Sequence, residues 1–256
     1  MSKSFGFTIK SMLGVSGILF GLAAGSAMAT TVTTSSVSLP NGSTTVNIVD
    51  TLQSVDGGGS NVIAGTIGLQ TNIGALSTYC VDLFDYIQTG NPSVNSFNQN
   101  VLTAGSHFQN GTATGTFTQA QVNTITALLL NGSMQTQNAL NTAALQIAIW
   151  AAEYDTTAGN GTYNISSADS FYFTHTSDSN SQSAINLAQT FLNNVTSGTW
   201  MTDSNHYVQF LTSTTGSVQD LVYLATGTVA TPEPSTVAVF GLGLIGLWAA
   251  RRRKLI

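Results

Sequence analysis

Residues 136–154 read Thr136-Gln137-Asn138-Ala139-Leu140-Asn141-Thr142-Ala143-Ala144-Leu145-Gln146-Ile147-Ala148-Ile149-Trp150-Ala151-Ala152-Glu153-Tyr154. The pattern predicts a helix. Between Ala143 and Ala152 its only polar side chain is Gln146, and Trp150 adds an indole donor. Before it, Thr118 with Gln121 three positions on is a capping box. Val122, Ile125, Leu128 and Leu129 follow at helical spacing, and Asn131-Gly132 ends that run. After it, a third helix is expected over about Gln182 to Val195. Strand patterns flank the helices. Val32–Leu39, Thr44–Val49 and Val62–Leu69 are rich in Val, Ile and Thr, punctuated by Asn41-Gly42 and Gly57-Gly58-Gly59. Leu76–Ile87 alternates, with Tyr79, Val81, Leu83 and Ile87 on one face and Cys80, Asp82 and Phe84 on the other. A polar loop with Asn91-Pro92 follows. Two strands, His206–Leu211 and Val218–Ala225, close the body. The order strands, helices, strands predicts an α+β fold, a β-sheet or barrel with an inserted helical subdomain, rather than a regularly alternating doubly wound one.

Both ends of the chain look like sorting segments. Lys3 and Lys10 form a basic start, Met12–Ala24 an apolar run, and Ala27-Met28-Ala29 a small-residue cleavage pattern, so residues 1–29 are expected to be a signal peptide for Sec-type export. At the other end stand Pro232-Glu233-Pro234, an uncharged apolar run from Ser235 to Ala250, and the basic stop Arg251-Arg252-Arg253-Lys254. The prolines fix φ and remove donors, so the tripeptide is extended. The run is shorter than the roughly 20 residues that span a bilayer comfortably. A short span still fits with Trp248 at the interface and the basic residues on the cytoplasmic side, which places everything upstream outside. Residues 229–256 resemble the PEP-CTERM sorting signal of Gram-negative bacteria. That resemblance implies an inner-membrane-tethered precursor, cut by an exosortase-type membrane protease and then moved to the cell surface or extracellular matrix. A permanent single-span anchor is the plainer alternative.

Composition narrows what the body, residues 30–228, can do. All six basic residues lie in the two ends, so the body holds no Lys and no Arg. It retains ten of the eleven acids, the eleventh being Glu233. A uniformly negative body does not bind a phosphate backbone, which excludes nucleic acid. Ion pairs can form only through histidine, and a lysine–asparagine crosslink is excluded. The charged fraction of the chain is 7 %, far below the roughly 25 % of average domains, and Ser, Thr, Asn, Gln and Gly supply the polar surface. Cys80 is the sole cysteine, so after export it is buried, joined to another chain, or chemically used.

Two segments carry chemistry, Thr78-Tyr79-Cys80-Val81-Asp82-Leu83 and Leu145-Gln146-Ile147-Ala148-Ile149-Trp150. One sets the only thiol on a strand. The other sets a carboxamide in an apolar helix, where an unpaired polar group costs roughly 1–3 kcal/mol. Together they supply the two halves of an internal thioester. The two segments resemble the bacterial thioester domain family of surface adhesins, whose pattern is aromatic-Cys-aliphatic-Asp/Glu and, later, Gln-x-Ala-Ile/Val-Trp. Tyr79-Cys80-Val81-Asp82 and Gln146-Ile147-Ala148-Ile149-Trp150 match, while Leu145 stands where the family often has threonine. The resemblance implies a Cys80–Gln146 crosslink with pocket support from Tyr79, Asp82 and Trp150, and Phe84 as a further shield. It also implies a covalent adhesin that reacts with an amine- or hydroxyl-bearing target and does not turn over as an enzyme does. Asp82, His107 and His175 are the candidates for moving the proton.

Other chemistries have less behind them. A cysteine protease would need a histidine and an Asn or Asp partner beside Cys80, and no such signature surrounds it. His107, His175 and His206 lack metal-ligand spacing, and Asp56-Gly57-Gly58-Gly59 reads as a turn, so no metal and no cofactor are expected. The alternative to the adhesin is a passive structural protein of the extracellular polymer matrix (a biofilm, for instance) with an inert Cys80. A secreted hydrolase is the third class.

Overall fold

The structure is a computed structural model. It describes residues 30–50, 61–83, 85–87, 89, 94–110, 113–155, 162–165, 171–216 and 218–227. The signal peptide, the Asp56–Gly59 turn, Phe84, the Asn91-Pro92 loop and the sorting tail lie outside the described residues. Among the described residues no helix is long and apolar enough to cross a membrane.

The strands are β1 (Thr30–Ser38), β2 (Thr44–Asp50), β3 (Asn61–Ala64), β4 (Ile67–Thr71), β5 (Gly74–Cys80), β6 (Ser96–Val101), β7 (His107–Asn110), β8 (Ala113–Thr116), β9 (Phe171–Thr174), β10 (His206–Ser213) and β11 (Leu221–Thr226). The helices are α1 (Gln119–Gly132), α2 (Ala139–Tyr154) and α3 (Ser181–Thr196). Six strands close into an antiparallel barrel in the order β1-β4-β5-β11-β10-β6. A second sheet has the order β3-β2-β9, and β7 and β8 form a hairpin. All three helices fall between β6 and β10, so they are an insertion into the barrel, in agreement with the α+β expectation.

Local sequence explains the helix ends. Thr118 caps α1 through the complete reciprocal box with Gln121. Asn138 caps α2 by accepting from the Asn141 N–H at 2.9 Å, so α2 starts at Ala139 rather than Thr136. From Thr142 to Tyr154 every residue of α2 is buried. Such a helix is apolar on all sides and must be enclosed. It packs against α1 and α3, against the small sheet, and against β5 of the barrel.

Three strand expectations need correction. Val62–Leu69 is not one strand: the chain leaves the small sheet after Ala64 and joins the barrel at Ile67. The switch is at Gly65, where a Cβ would lie 2.9 Å from the Gly42 carbonyl oxygen. Leu76–Ile87 ends at Cys80, because the next residues turn back onto the sulfur and bury both faces: Tyr79, Cys80, Val81, Asp82 and Leu83 are all buried. Finally β6, β7, β8 and β9 stand where the sequence reading places no strands. Ser96-Phe97-Asn98-Gln99-Asn100-Val101 is mostly polar, and its order comes from pairing with both β1 and β10.

Candidate functional site

The site lies where β5 ends. Ile67 of β4 pairs with Thr78, so Cys80 stands two residues beyond the point where β4 begins. On its other edge β5 still meets β11, with Cys80 opposite Leu221 and the Val81 N–H donating to the Asp220 carbonyl at 3.0 Å. The backbone groups of Cys80 therefore lack a strand on the β4 side, and α2 supplies the substitute. The Cys80 N–H donates to Gln146 Oε1 at 2.8 Å, and Gln146 Nε2 donates to the Cys80 carbonyl at 2.8 Å. The carboxamide completes the ladder, and both residues are within 2 % of full burial.

The sulfur is held by its own turn. Cys80 Sγ donates to the Asp82 carbonyl at 2.7 Å, and the Asp82 N–H points back to Sγ at 3.3 Å. Gln219 Nε2 donates to the same Asp82 carbonyl at 2.6 Å. The Asp82 carboxylate receives the Asp85 N–H through Oδ1 at 3.3 Å. Burial drives the thiol well above its ordinary pKa, and the charges of Asp82 and Glu153 push the same way, against its hydrogen bond to the Asp82 backbone. The Trp150 indole favours the thiolate, although its N–H makes no hydrogen bond of regular geometry. The resting sulfur is thus a protonated thiol.

The residues singled out in the sequence divide accordingly. Cys80, Gln146, Asp82 and Trp150 come together. The strand carries Tyr79 to the opposite face, where its hydroxyl accepts from Thr66 Oγ1 at 2.9 Å. His107 and His175 are exposed on other elements. His206 Nδ1 lies 2.8 Å from the Asp203 carboxylate at the far end of β10.

Sequence reasoning missed three contributors. Tyr154 braces the turn from α2, its hydroxyl lying 3.3 Å from the Leu83 N–H and 3.5 Å from the Val81 carbonyl. Its ring stacks on Phe171 and meets Phe108 edge-on. Glu153 is buried, neither of its carboxyl oxygens has a hydrogen bond, and desolvation with the charges of Asp82 and Asp220 raises its pKa well above the carboxylate range. Asp220 accepts from the Ser213 N–H at 2.7 Å, and burial with the charges of Asp82 and Asp85 pushes it up to about 7. The only signal for these acids was their place in a body without basic residues. Among the described residues no group of three or more His, Cys, Asp and Glu is arranged to hold a metal ion.

Chemically, the site sets the Gln146 carboxamide against the backbone of the residue that bears the only thiol. The Cys80 N–H polarises the Gln146 carbonyl through its hydrogen bond to Oε1.

Residues 230–254 match the PEP-CTERM protein-sorting motif. The motif marks an exported protein of Gram-negative bacteria. No curated protein matches the chain. Among solved structures it is similar to the N-terminal domain of the Streptococcus pyogenes pilus tip adhesin Cpa, at 15 % identity, with 74 % of this chain and 100 % of that one covered and a TM-score of 0.42. It is also similar to the N-terminal thioester domain of the S. pyogenes fibronectin-binding protein SfbI, at 13 % identity, 73 % and 94 % coverage and a TM-score of 0.39. A third is the N-terminal thioester domain of a Clostridium perfringens surface protein, at 12 % identity, 73 % and 99 % coverage and a TM-score of 0.37.

Proposed function

We propose that this chain is an exported cell-surface or matrix protein whose body, residues 30–228, forms an internal thioester between Cys80 and Gln146 and uses it to attach itself covalently to a target. Residues 1–29 direct Sec-type export and are removed. Residues 229–256 hold the precursor in the membrane until an exosortase-type protease acts at Pro232-Glu233-Pro234. The single observation that supports the chemistry is the reciprocal pair of 2.8 Å hydrogen bonds between the Gln146 carboxamide and the Cys80 backbone. It keeps the electrophilic carbon beside the residue that bears the nucleophile, the proximity that an amide, a poor electrophile, requires.

In the reaction Sγ bonds to the Gln146 side-chain carbonyl carbon, the bond from that carbon to Nε2 breaks, and the thiol proton leaves with the nitrogen as ammonia. A target amine or hydroxyl later attacks the same carbon. Sγ departs and takes up a proton, and the target stays on residue 146. This is a single use, not turnover. With no lysine in the body, the stored bond meets no side-chain amine of its own domain.

The test is the intact mass of exported protein. A formed bond makes it lighter by one ammonia, Cys80→Ala removes that deficit, and methylamine adds at residue 146. An undiminished mass in fresh protein overturns the proposal. The passive matrix protein is the second reading. The same two hydrogen bonds satisfy the carboxamide and the Cys80 backbone without any crosslink, and in that case methylamine is not taken up.

A further inference from the structure

Gln219 shares an acceptor with the thiol. The Asp82 carbonyl accepts from Cys80 Sγ at 2.7 Å and from Gln219 Nε2 at 2.6 Å. A carbonyl oxygen has two lone pairs, so it can serve both donors at once. Gln219 is part-buried and immediately precedes Asp220, whose own carbonyl accepts from the Val81 N–H at 3.0 Å. The segment that leads into β11 therefore grips the turn after β5 twice, once through a side chain and once through the backbone. From α2, the Tyr154 hydroxyl meets the Leu83 N–H at 3.3 Å, on the other side of the same peptide group. The Asp82 N–H points at the sulfur, also at 3.3 Å.

In the thiol state the sulfur is a donor to that carbonyl. In the thioester it is not: Sγ is bonded to the Gln146 side-chain carbonyl carbon, and its proton has left with Nε2 as ammonia. The Asp82 carbonyl then loses one of its donors at a site where Cys80 and Asp82 are 2 % and 1 % exposed, and a buried acceptor deprived of a donor is costly. The chemistry leaves Gln219 Nε2 untouched. Resting on the thioester reading, we propose that Gln219 is a positioning residue that favours the crosslinked state over the thiol. It keeps the Asp82 carbonyl hydrogen-bonded when the sulfur can no longer do so, which releases the thiol from its acceptor and holds the turn in place while the bond is stored. Removing the Gln219 donor therefore weighs more on the thioester than on the thiol, because in the thiol the sulfur still serves the carbonyl.

The experiment compares melting temperatures of exported wild type and Gln219→Met, each with the bond intact and again after methylamine has opened it and restored the thiol. Intact mass identifies the two states. Methionine is close to glutamine in length and has no N–H donor. Gln219→Met lowers the melting temperature in both states, and the loss in the crosslinked protein exceeds that in the opened protein by about 3 °C. A loss that is equal in the two states, or larger in the opened one, marks a brace of the turn alone and overturns this inference while the thioester stands. If Gln219→Met carries no ammonia deficit, Gln219→Arg decides, since it returns an N–H donor without an amine that could attack the bond. A deficit that reappears supports the inference, and one that stays absent overturns it. Wild-type protein with no ammonia deficit overturns the thioester reading itself.

Discussion

At Cys80 a side chain from a distant helix does what a neighbouring strand usually does, and two substitutions separate the consequences. Gln146→Ala strands a buried N–H and a buried carbonyl and leaves a cavity, for an expected loss of about 3 kcal/mol in urea unfolding. Cys80→Ala keeps the backbone bonds. With the thioester present it also removes a crosslink between residues 66 apart, which by loop-closure entropy is worth about 4 kcal/mol. A loss near 1 kcal/mol, the scale of a small buried side chain, would speak for an uncrosslinked thiol. At this scale the sequence was legible wherever a residue type was out of place. A lone thiol and a lone amide in an apolar helix both stood out. Glu153 and Tyr154 did not, because an acid and a tyrosine at a helix C-terminus read as its solvated end. Only the position of α2 beneath the 81–83 turn reveals them as buried.

Among the elements, two glycines mark close approaches, one between α1 and α2 and one where the chain passes from β3 to β4. A Cβ on Gly132 would lie 2.8 Å from both terminal carbons of Leu145, a fully buried neighbour of Gln146. Gly132→Ala is expected to cost about 1–3 kcal/mol through overpacking and to lower the fraction of molecules with an ammonia deficit, as read by intact mass. Gly65→Ala meets the Gly42 backbone, which cannot swing aside. It should lower the melting temperature while leaving the capping of α1 and α2 intact, so helical circular dichroism persists up to the transition. The helices were legible because caps and apolar spacing are local. The break between β3 and β4 was not, since Val62–Leu69 is continuous in propensity and only the close approach of another loop divides it. Polar β6 was hidden for a related reason: its strand character comes from two neighbours rather than from its own side chains.

For the molecule as a whole, the missing basic residues make buried acids the main source of pH dependence. Asp220 ionises near 7 in the folded protein against an ordinary 3.8, and Glu153 is shifted in the same direction from 4.5. As pH rises, the unfolded chain releases these protons first. The stability that the Asp220 shift contributes is therefore present below about pH 4 and is lost as the pH climbs through about 7, and Glu153 acts in the same direction. The melting temperature should fall by roughly 5–10 °C over that interval, and Asp220→Asn should remove part of the fall. A melting temperature that rises between pH 4 and 7 would contradict this account. The barrel also gives the body a direction. Cys80 stands opposite Leu221, where β11 begins, and β11 then runs to Thr226. Five steps of extended chain, roughly 17 Å, carry the polypeptide away from the sulfur before it proceeds toward the C-terminal segment. The end of β11, from which the chain continues past the described residues, is thus separated from the buried sulfur by the length of that strand.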